Sequence, residues 1–175
     1  FLTSLKSLNL SYSHGLKNTP VFTQVPNLEQ LVLKHCISLV EVDESIGELR
    51  SLVFLNLKGC KNLKKLPREV GNLTSLEKLI LSDCSKLDLD QLPAVLGQMK
   101  SLTVLHADGI SQGIGEDGSW TSFFMSLVLK PRKSPKILIC LPGSLVELRL
   151  SNCNLSSDGL ENCLGTLSLL KRLDL

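Results

Sequence analysis

The cysteines of this sequence are the first residues whose type and spacing could support chemistry. The chain has six cysteines, and four of them, Cys36, Cys60, Cys84 and Cys153, follow a leucine pattern at equivalent places. No Cys-x-x-Cys pair occurs, and a ladder of equivalent positions cannot surround one metal ion tetrahedrally. Side chains stacked along parallel strands also point the same way, which is poor geometry for a disulfide. The ladder therefore predicts small buried side chains that pack a turn, in a compartment that keeps thiols reduced.

Two further patterns could support chemistry, and both lack the context they need. Residues 113–118 match the G-x-G-x-x-G spacing of dinucleotide-binding loops, but Glu116 and Asp117 stand where a pyrophosphate would lie. His14, His35 and His106 have no Ser, Cys or carboxylate at a spacing that would build a catalytic triad. The sequence therefore predicts no catalytic residue, no metal site and no cofactor in this chain, and no enzymatic activity.

Leucine spacing predicts the elements that position every other residue. The chain contains 40 leucines in 175 residues, and the block L-x-x-L-x-L begins at residues 5, 28, 52, 76, 145 and 170, with a weaker copy at residue 102 in which Ala107 takes the place of the third leucine. Five of the six steps between blocks are 23 to 26 residues long. Alternating leucines indicate half-buried strands, and one such unit cannot bury its leucines without neighbours. We therefore predict an α/β solenoid: a leucine-rich repeat horseshoe with a parallel concave sheet of about seven short strands and short 3₁₀ or irregular convex segments.

One interval breaks the rhythm and divides the chain. The step between the blocks at residues 102 and 145 is 43 residues, about 19 more than one ordinary unit of this chain. We predict regular repeats over residues 1–105, an irregular repeat or insertion over 106–143, and continuing repeats over 144–175. Neither terminus has the polar outer face of a capping unit, so we expect a slice of a longer solenoid.

Composition and charge narrow the function classes. The hydrophobic fraction is 43% and the net charge is +2, which excludes a disordered chain and gives no charge-based reason for a nucleic-acid or membrane partner. No apolar run reaches the length of a membrane span, and the first residues do not resemble a signal peptide. Basic clusters at residues 58–68 and 130–136 are read as solvated surface, with an acidic protein partner as the alternative.

The concave face is the remaining candidate surface. Residues between and after the strand leucines align as columns, and their chemistry varies from unit to unit while the leucines stay constant. Varied side chains on a constant frame suit protein recognition, with an ordinary solvated sheet as the alternative. The candidate protein-binding residues are Tyr12, Gln30, Val32, Lys34, His35, Phe54, Asn56, Lys58, Lys78, Ile80, Asp83, His106, Asp108, Glu147, Arg149 and Asn152. Tyr12, Val32, Phe54 and Ile80 are the expected apolar anchors.

The repeat units resemble a known family. Residues 28–36, 52–67 and 76–87 follow the form L-x-x-L-x-L-x-x-C-x-x-L, and the step Ile46-Gly47-x-Leu49-x-Ser51-Leu52 is echoed at residues 70–76. With Pro131-Arg132-Lys133-Ser134-Pro135 and Ser151-Asn152-Cys153-Asn154-Leu155, the chain resembles the leucine-rich repeat region of plant intracellular immune receptors of the TIR, nucleotide-binding, leucine-rich-repeat type.

This resemblance implies a role. In that family the repeats sense a pathogen effector or a modified host protein and help to hold the nucleotide-binding domain inactive. ADP and ATP are expected in that domain of the parent, NAD cleavage in its TIR domain, and oligomerisation through its other domains. The implied location is cytoplasmic, with the nucleus as a second compartment. The alternative is the ectodomain of a cell-surface leucine-rich-repeat receptor, which the glycosylation sequons at Asn9, Asn72 and Asn154 would permit.

Overall fold

The chain forms one parallel sheet in which the strands follow one another in sequence order. The computed structural model describes residues 1–87, 95–110, 141–152 and 167–175. Seven three-residue strands lie in these ranges and pair as neighbours in the order β1 to β7, all parallel. This confirms the predicted solenoid. The strands are β1 Ser7–Asn9, β2 Gln30–Val32, β3 Phe54–Asn56, β4 Lys78–Ile80, β5 Val104–His106, β6 Glu147–Arg149 and β7 Arg172–Asp174.

Alternation within each strand separates the core from the concave face. The middle residue of every strand is a leucine, and these leucines stand in register across the sheet. Leu31, Leu55 and Leu79 are fully buried, whereas the residues on either side of them point to the opposite face. Burial of the leucine side chains decreases at the two edge strands, where Leu8 is half-buried and Leu173 is exposed. Burial of one leucine column therefore depends on a neighbouring unit on each side.

A tight turn follows the strands and connects each unit to the next. The amide N–H of Cys36 donates to the carbonyl of Leu33 at 3.2 Å, and Cys60 and Cys84 make the same bond to Leu57 and Leu81. The residue before each cysteine has a positive φ, which makes these type II turns. The chain thus leaves the concave face abruptly and returns along the outer side.

The cysteine ladder lies beneath these turns and is buried as predicted. Cys36, Cys60 and Cys84 are free and fully buried. Each Sγ donates to the turn carbonyl of the preceding unit, namely that of Leu10, Leu33 or Leu57, at 3.1 Å. Burial raises the pKa of all three thiols, that of Cys60 to about 12. They therefore stay protonated and serve as donors that link successive units. Cys153 lies outside the described residues.

Short 3₁₀ helices form the convex side in two central units. Helix η1 spans Glu44–Glu48 and helix η2 spans Arg68–Asn72. Asp43 caps η1 by accepting the amide N–H of Ser45 at 3.0 Å. The two helices pack closely, because a Cβ on Gly47 would lie 2.7 Å from both Cβ and the carbonyl oxygen of Glu69. Glycine here permits the close approach of successive coils.

The long interval does not interrupt the sheet. Strands β5 and β6 pair directly, with Leu105 opposite Leu148, although 43 residues separate those two leucines in the chain. Residues 111–140, which include the glycine-rich segment 113–118 and the basic segment 130–136, lie outside the described ranges. The domain boundaries at residues 105 and 143 stay predictions. Within the described ranges, no helix has the length and apolar character required to cross a membrane.

Candidate functional site

The concave face carries the candidate residues in the columns that the leucine spacing predicted. The register aligns Gln30, Phe54, Lys78, Val104, Glu147 and Arg172 in one column, and Val32, Asn56, Ile80, His106, Arg149 and Asp174 in a second. Lys34, Lys58 and Asp108 follow two residues beyond the second column, and Tyr12, His35, Asp83 and Asn152 come one residue later. All sixteen candidates therefore lie on the concave strands or on the turns that leave them.

The four expected apolar anchors differ in how much surface they offer. Tyr12 is 57% exposed, whereas Ile80 is only 5% exposed. Val32 and Phe54 are half-buried, and the Lys78 ammonium lies 5.7 Å from the centre of the Phe54 ring, in reach of a cation–π contact. Tyr12 is thus the accessible anchor of this group, and Ile80 mainly fills space between its neighbours.

Backbone conformation sets the column at the turns apart from the rest of the face. Tyr12, His35, Asp83 and Asn152 have φ between 55° and 63°, and Gly59 and Gly109 occupy the same position with φ of 73° and 64°. This left-handed region favours glycine, and a bulky side chain there is strained. The variation in side chains at these positions did not by itself indicate this backbone requirement. Glycine in two of the six units was the signal that could have revealed it.

The left-handed residues also extend the hydrogen bonding between units beyond the strands. The amide N–H of Tyr12 donates to the carbonyl of Lys34 at 2.8 Å, and that of His35 donates to the carbonyl of Lys58 at 2.7 Å. Gly59, Asp83 and Gly109 make the equivalent bonds to the next unit. Their conformation therefore aims the N–H sideways at the neighbouring turn while the chain reverses.

Three aromatic rings contact one another at the N-terminal end of this column. The Tyr12 and His35 rings stack with their centroids 5.2 Å apart, and His14 approaches Tyr12 edge-on at 6.4 Å. His35 lies over Gly59, where a Cβ would fall 2.7 Å from Cε1 of the imidazole. Stacked amphipathic rings of this kind are typical anchors in protein interfaces.

Polar contacts hold the central part of the face. The Asn56 side chain accepts the amide N–H of Lys58 at 3.0 Å, and Lys58 Nζ lies 3.8 Å from a carboxylate oxygen of Asp83. Ser82 Oγ donates to Asp108 Oδ2 at 2.6 Å. The other oxygen of Asp108 is buried and has no hydrogen-bond partner among the described residues. These contacts fix the candidate side chains in defined orientations.

Glu147 forms the most highly charged cluster of the face. Its Oε1 lies 2.9 Å from Nε2 of His106 and 3.2 Å from Nε of Arg149, and its Oε2 accepts from Nη1 of Arg172 at 2.9 Å. The hydrogen bond from His106 is the main cause that lowers the pKa of Glu147, and Arg172 and Arg149 lower it further. Glu147 is therefore ionised at neutral pH and joins β5, β6 and β7.

No group of three or more His, Cys, Asp or Glu side chains in the described ranges could hold a metal ion. The three stacked or paired histidines are each committed to another contact: His14 and His35 to Tyr12, and His106 to Glu147. The side chains that this face presents are therefore rings and paired charges.

Comparison with known proteins identifies the family. The family model described as Leucine Rich Repeat matches residues 144–167. TMV resistance protein N from Nicotiana glutinosa is 36% identical to this chain over 162 residues, which is 87% of the chain. The chain belongs to the leucine-rich repeat region of plant disease resistance proteins. This confirms the resemblance to the TIR, nucleotide-binding, leucine-rich-repeat type that the repeat units indicated.

Other disease resistance proteins match shorter segments of this leucine-rich repeat region. Disease resistance protein RUN1 from Vitis rotundifolia is 46% identical over 49 residues, covering 28% of the chain and 4% of that protein. Probable disease resistance protein RPP1 from Arabidopsis thaliana is 49% identical over 45 residues, covering 26% of the chain and 4% of that protein. The chain spans only 14% of the length of TMV resistance protein N. It thus corresponds to one part of its relatives.

Among solved structures, an internalin from Listeria monocytogenes aligns with this leucine-rich repeat region. The alignment covers 99% of the chain and 62% of the internalin, with 16% identity and a TM-score of 0.28. That score is too low to carry an argument, and the fold assignment rests on the sheet itself.

Proposed function

We propose that this chain is the protein-recognition module of a plant immune receptor, where it senses a pathogen effector or a modified host protein. The observation that carries the proposal is the concave face itself. Side chains of varied chemistry stand there in register over seven strands, on a frame whose leucines do not vary. Such a face offers many independent contacts along one extended partner surface.

The same chain contributes to autoinhibition of the nucleotide-binding domain in the parent receptor. Support for this part comes from the family resemblance, which implies that the repeats help to hold the nucleotide-binding domain inactive. The proposed location is the cytoplasm, with the nucleus as a second compartment. The three buried, protonated thiols of the cysteine ladder suit a compartment where thiols stay reduced.

Substitutions in the full-length receptor test the assignment of the concave face. Tyr12→Gly and His35→Gly remove two ring side chains at positions where glycine suits the backbone, since both residues have positive φ. Lys78→Glu reverses the charge of an exposed concave residue, and Lys61→Glu is its matched control, because Lys61 is exposed and lies beyond the concave strands, after the turn of its unit. The readout is cell death in leaves that express the receptor, with and without pathogen challenge.

We expect each concave variant either to abolish cell death on challenge or to trigger cell death without challenge. Lys61→Glu should leave both responses as in the wild type. Loss of the challenge response supports ligand sensing, and cell death without challenge supports autoinhibition. If all three concave variants behave as the wild type does, the concave face has neither role and the proposal is wrong.

A further inference from the structure

The cluster around Glu147 places two arginines side by side on the concave face. Arg149 follows Glu147 on the same strand, and Arg172 lies opposite Glu147 on β7. One carboxylate contacts both guanidinium groups, Arg149 through Nε at 3.2 Å and Arg172 through Nη1 at 2.9 Å. His106 supports the same carboxylate from β5 at 2.9 Å. Glu147 therefore acts as a positioning residue that orients two cations from beneath.

Both arginines keep most of their hydrogen-bonding capacity free. The Arg172 side chain is 66% exposed and that of Arg149 is 39% exposed, whereas Glu147 is only 17% exposed. A guanidinium group carries five N–H donors, and in the described part of the chain Glu147 is the one carboxylate that either arginine contacts. Arg172 uses one of its five donors on Glu147, so four remain. Arg149 Nε is buried near Glu147 without a hydrogen bond, and the four donors on the terminal nitrogens of Arg149 remain as well.

The charge balance of the cluster favours one further negative group. Two guanidinium cations face a single carboxylate, so the cluster keeps an excess positive charge even with His106 neutral. Asp174 stands opposite Arg149 in the sheet, and Asp108 lies two residues beyond His106. These neighbouring carboxylates would repel an extended polyanion such as a nucleic acid, so the cluster suits a single negative group better than a chain of them.

We propose that Arg149 and Arg172 form a subsite for a carboxylate side chain, Asp or Glu, of the protein that this concave face recognises. Paired guanidinium groups bind a planar carboxylate through parallel hydrogen bonds, which gives both strength and direction. Glu147 holds the pair in place and sets its net charge. This inference rests on the proposed function, because it names the chemistry of one part of the same face.

Peptide binding to the full-length protein tests the subsite. The probe is a fluorescent peptide with the sequence Gly-Glu-Gly-Asp-Gly-Glu-Gly, and its matched control peptide has Gln and Asn at the acidic positions. Binding is followed by fluorescence anisotropy at low and at physiological salt. The variants are Arg149→Gln and Arg172→Gln, with Lys171→Gln as the control. Lys171 is exposed and adjacent to Arg172 in the chain, so its loss removes the same charge without touching the cluster.

We expect the acidic peptide to bind and the amide peptide to bind at least about tenfold more weakly. Arg149→Gln and Arg172→Gln should each weaken binding of the acidic peptide by about tenfold, and Lys171→Gln by less than about twofold. Glu147→Gln removes the negative charge that offsets the two guanidinium groups and keeps an acceptor oxygen that can orient them, so it should tighten binding several-fold. An arginine effect no larger than that of Lys171→Gln would overturn the subsite, as would equal binding of the two peptides.

The outcomes also separate this inference from the proposed function. If the peptide results fail while Tyr12→Gly, His35→Gly or Lys78→Glu still alters the receptor response, the concave face recognises a partner without a carboxylate at Arg149 and Arg172. If those three variants leave the receptor unchanged, the proposed function itself is wrong, whatever the peptide does.

Discussion

The six residues with positive φ that leave the strands, Tyr12, His35, Gly59, Asp83, Gly109 and Asn152, form a left-handed turn column. The contact between His35 and Gly59 allows its conformation to be tested with one substitution. Gly59 has a φ of 73°, and a Cβ built on it would overlap Nδ1 of His35 and lie 2.7 Å from its Cε1. Gly59→Ala therefore has two separate costs. The left-handed conformation costs a non-glycine residue about 1 kcal/mol, and displacing the imidazole from its stack with Tyr12 removes a ring contact of about 1 kcal/mol.

From these two terms we expect Gly59→Ala to lower the free energy of unfolding by about 2 kcal/mol. His35→Gly removes the ring, so in that background Gly59→Ala should cost only the backbone term, about 1 kcal/mol. The coupling energy between the two sites is then about 1 kcal/mol, well above the scatter expected for independent sites.

Urea unfolding followed by circular dichroism measures all four proteins of this cycle. Gly15→Ala is the matched control, because a Cβ on Gly15 would meet nothing within 4 Å and Gly15 is not among the residues with positive φ. We expect its effect to stay within about 0.5 kcal/mol. A Gly59→Ala cost that is the same with and without His35 would refute the contact, and no cost in either background would refute the left-handed conformation.

Three further predictions concern other parts of the solenoid. Gly47→Ala should lower the free energy of unfolding by about 1–3 kcal/mol in the same urea assay, because the new Cβ would press on Glu69; an effect equal to that of Gly15→Ala would contradict the close packing of η1 and η2. Cys60→Ala should destabilise the fold by about 1–2 kcal/mol, because it removes the Sγ hydrogen bond to the carbonyl of Leu33 and side-chain packing, and Cys60→Ser should restore part of this stability. In the native protein Cys60 should resist thiol reagents at pH 8, since burial raises its pKa to about 12. Rapid labelling would show instead that the thiol is accessible. The wild type should have a larger free energy of unfolding than Glu147→Gln near neutral pH. Because the folded-state pKa of Glu147 is lowered, this difference should disappear as the pH falls through that pKa. A difference that does not change between pH 7 and pH 3 would show that the ionised carboxylate is not responsible.

The left-handed turn column connects stability with the proposed recognition surface. Tyr12 and His35 occupy positions where two other units have glycine, so their side chains remain at a cost in backbone energy. Those two rings are also stacked at the accessible end of the concave face. Tyr12→Gly and His35→Gly thus remove the two rings proposed for recognition without imposing strain, which makes them suitable variants for the receptor assay.

Leucine spacing alone was sufficient to predict the frame of this protein. Repeated blocks of about 24 residues bury their leucines by stacking as parallel strands. The side-chain period of two in a strand then assigns each intervening residue to the concave face. The seven strands, their register and the columns followed from that constraint. The family resemblance likewise depended on local motifs that the sequence displays directly.

Tertiary structure decided which residues of that face are available and what they contact. Ile80 and Tyr12 were both predicted as apolar anchors, but Ile80 is buried and Tyr12 is exposed. Ile80 lies on a strand with a neighbour on each side, whereas Tyr12 follows the edge strand β1. Glu147 meets His106 and Arg172, which lie 41 and 25 residues away in the chain, and the cysteine thiols find turn carbonyls 26 or 27 residues earlier. Such contacts require the distance and direction between side chains on different coils. Periodicity determines which residues share a face, and only the packed solenoid determines which of their atoms meet.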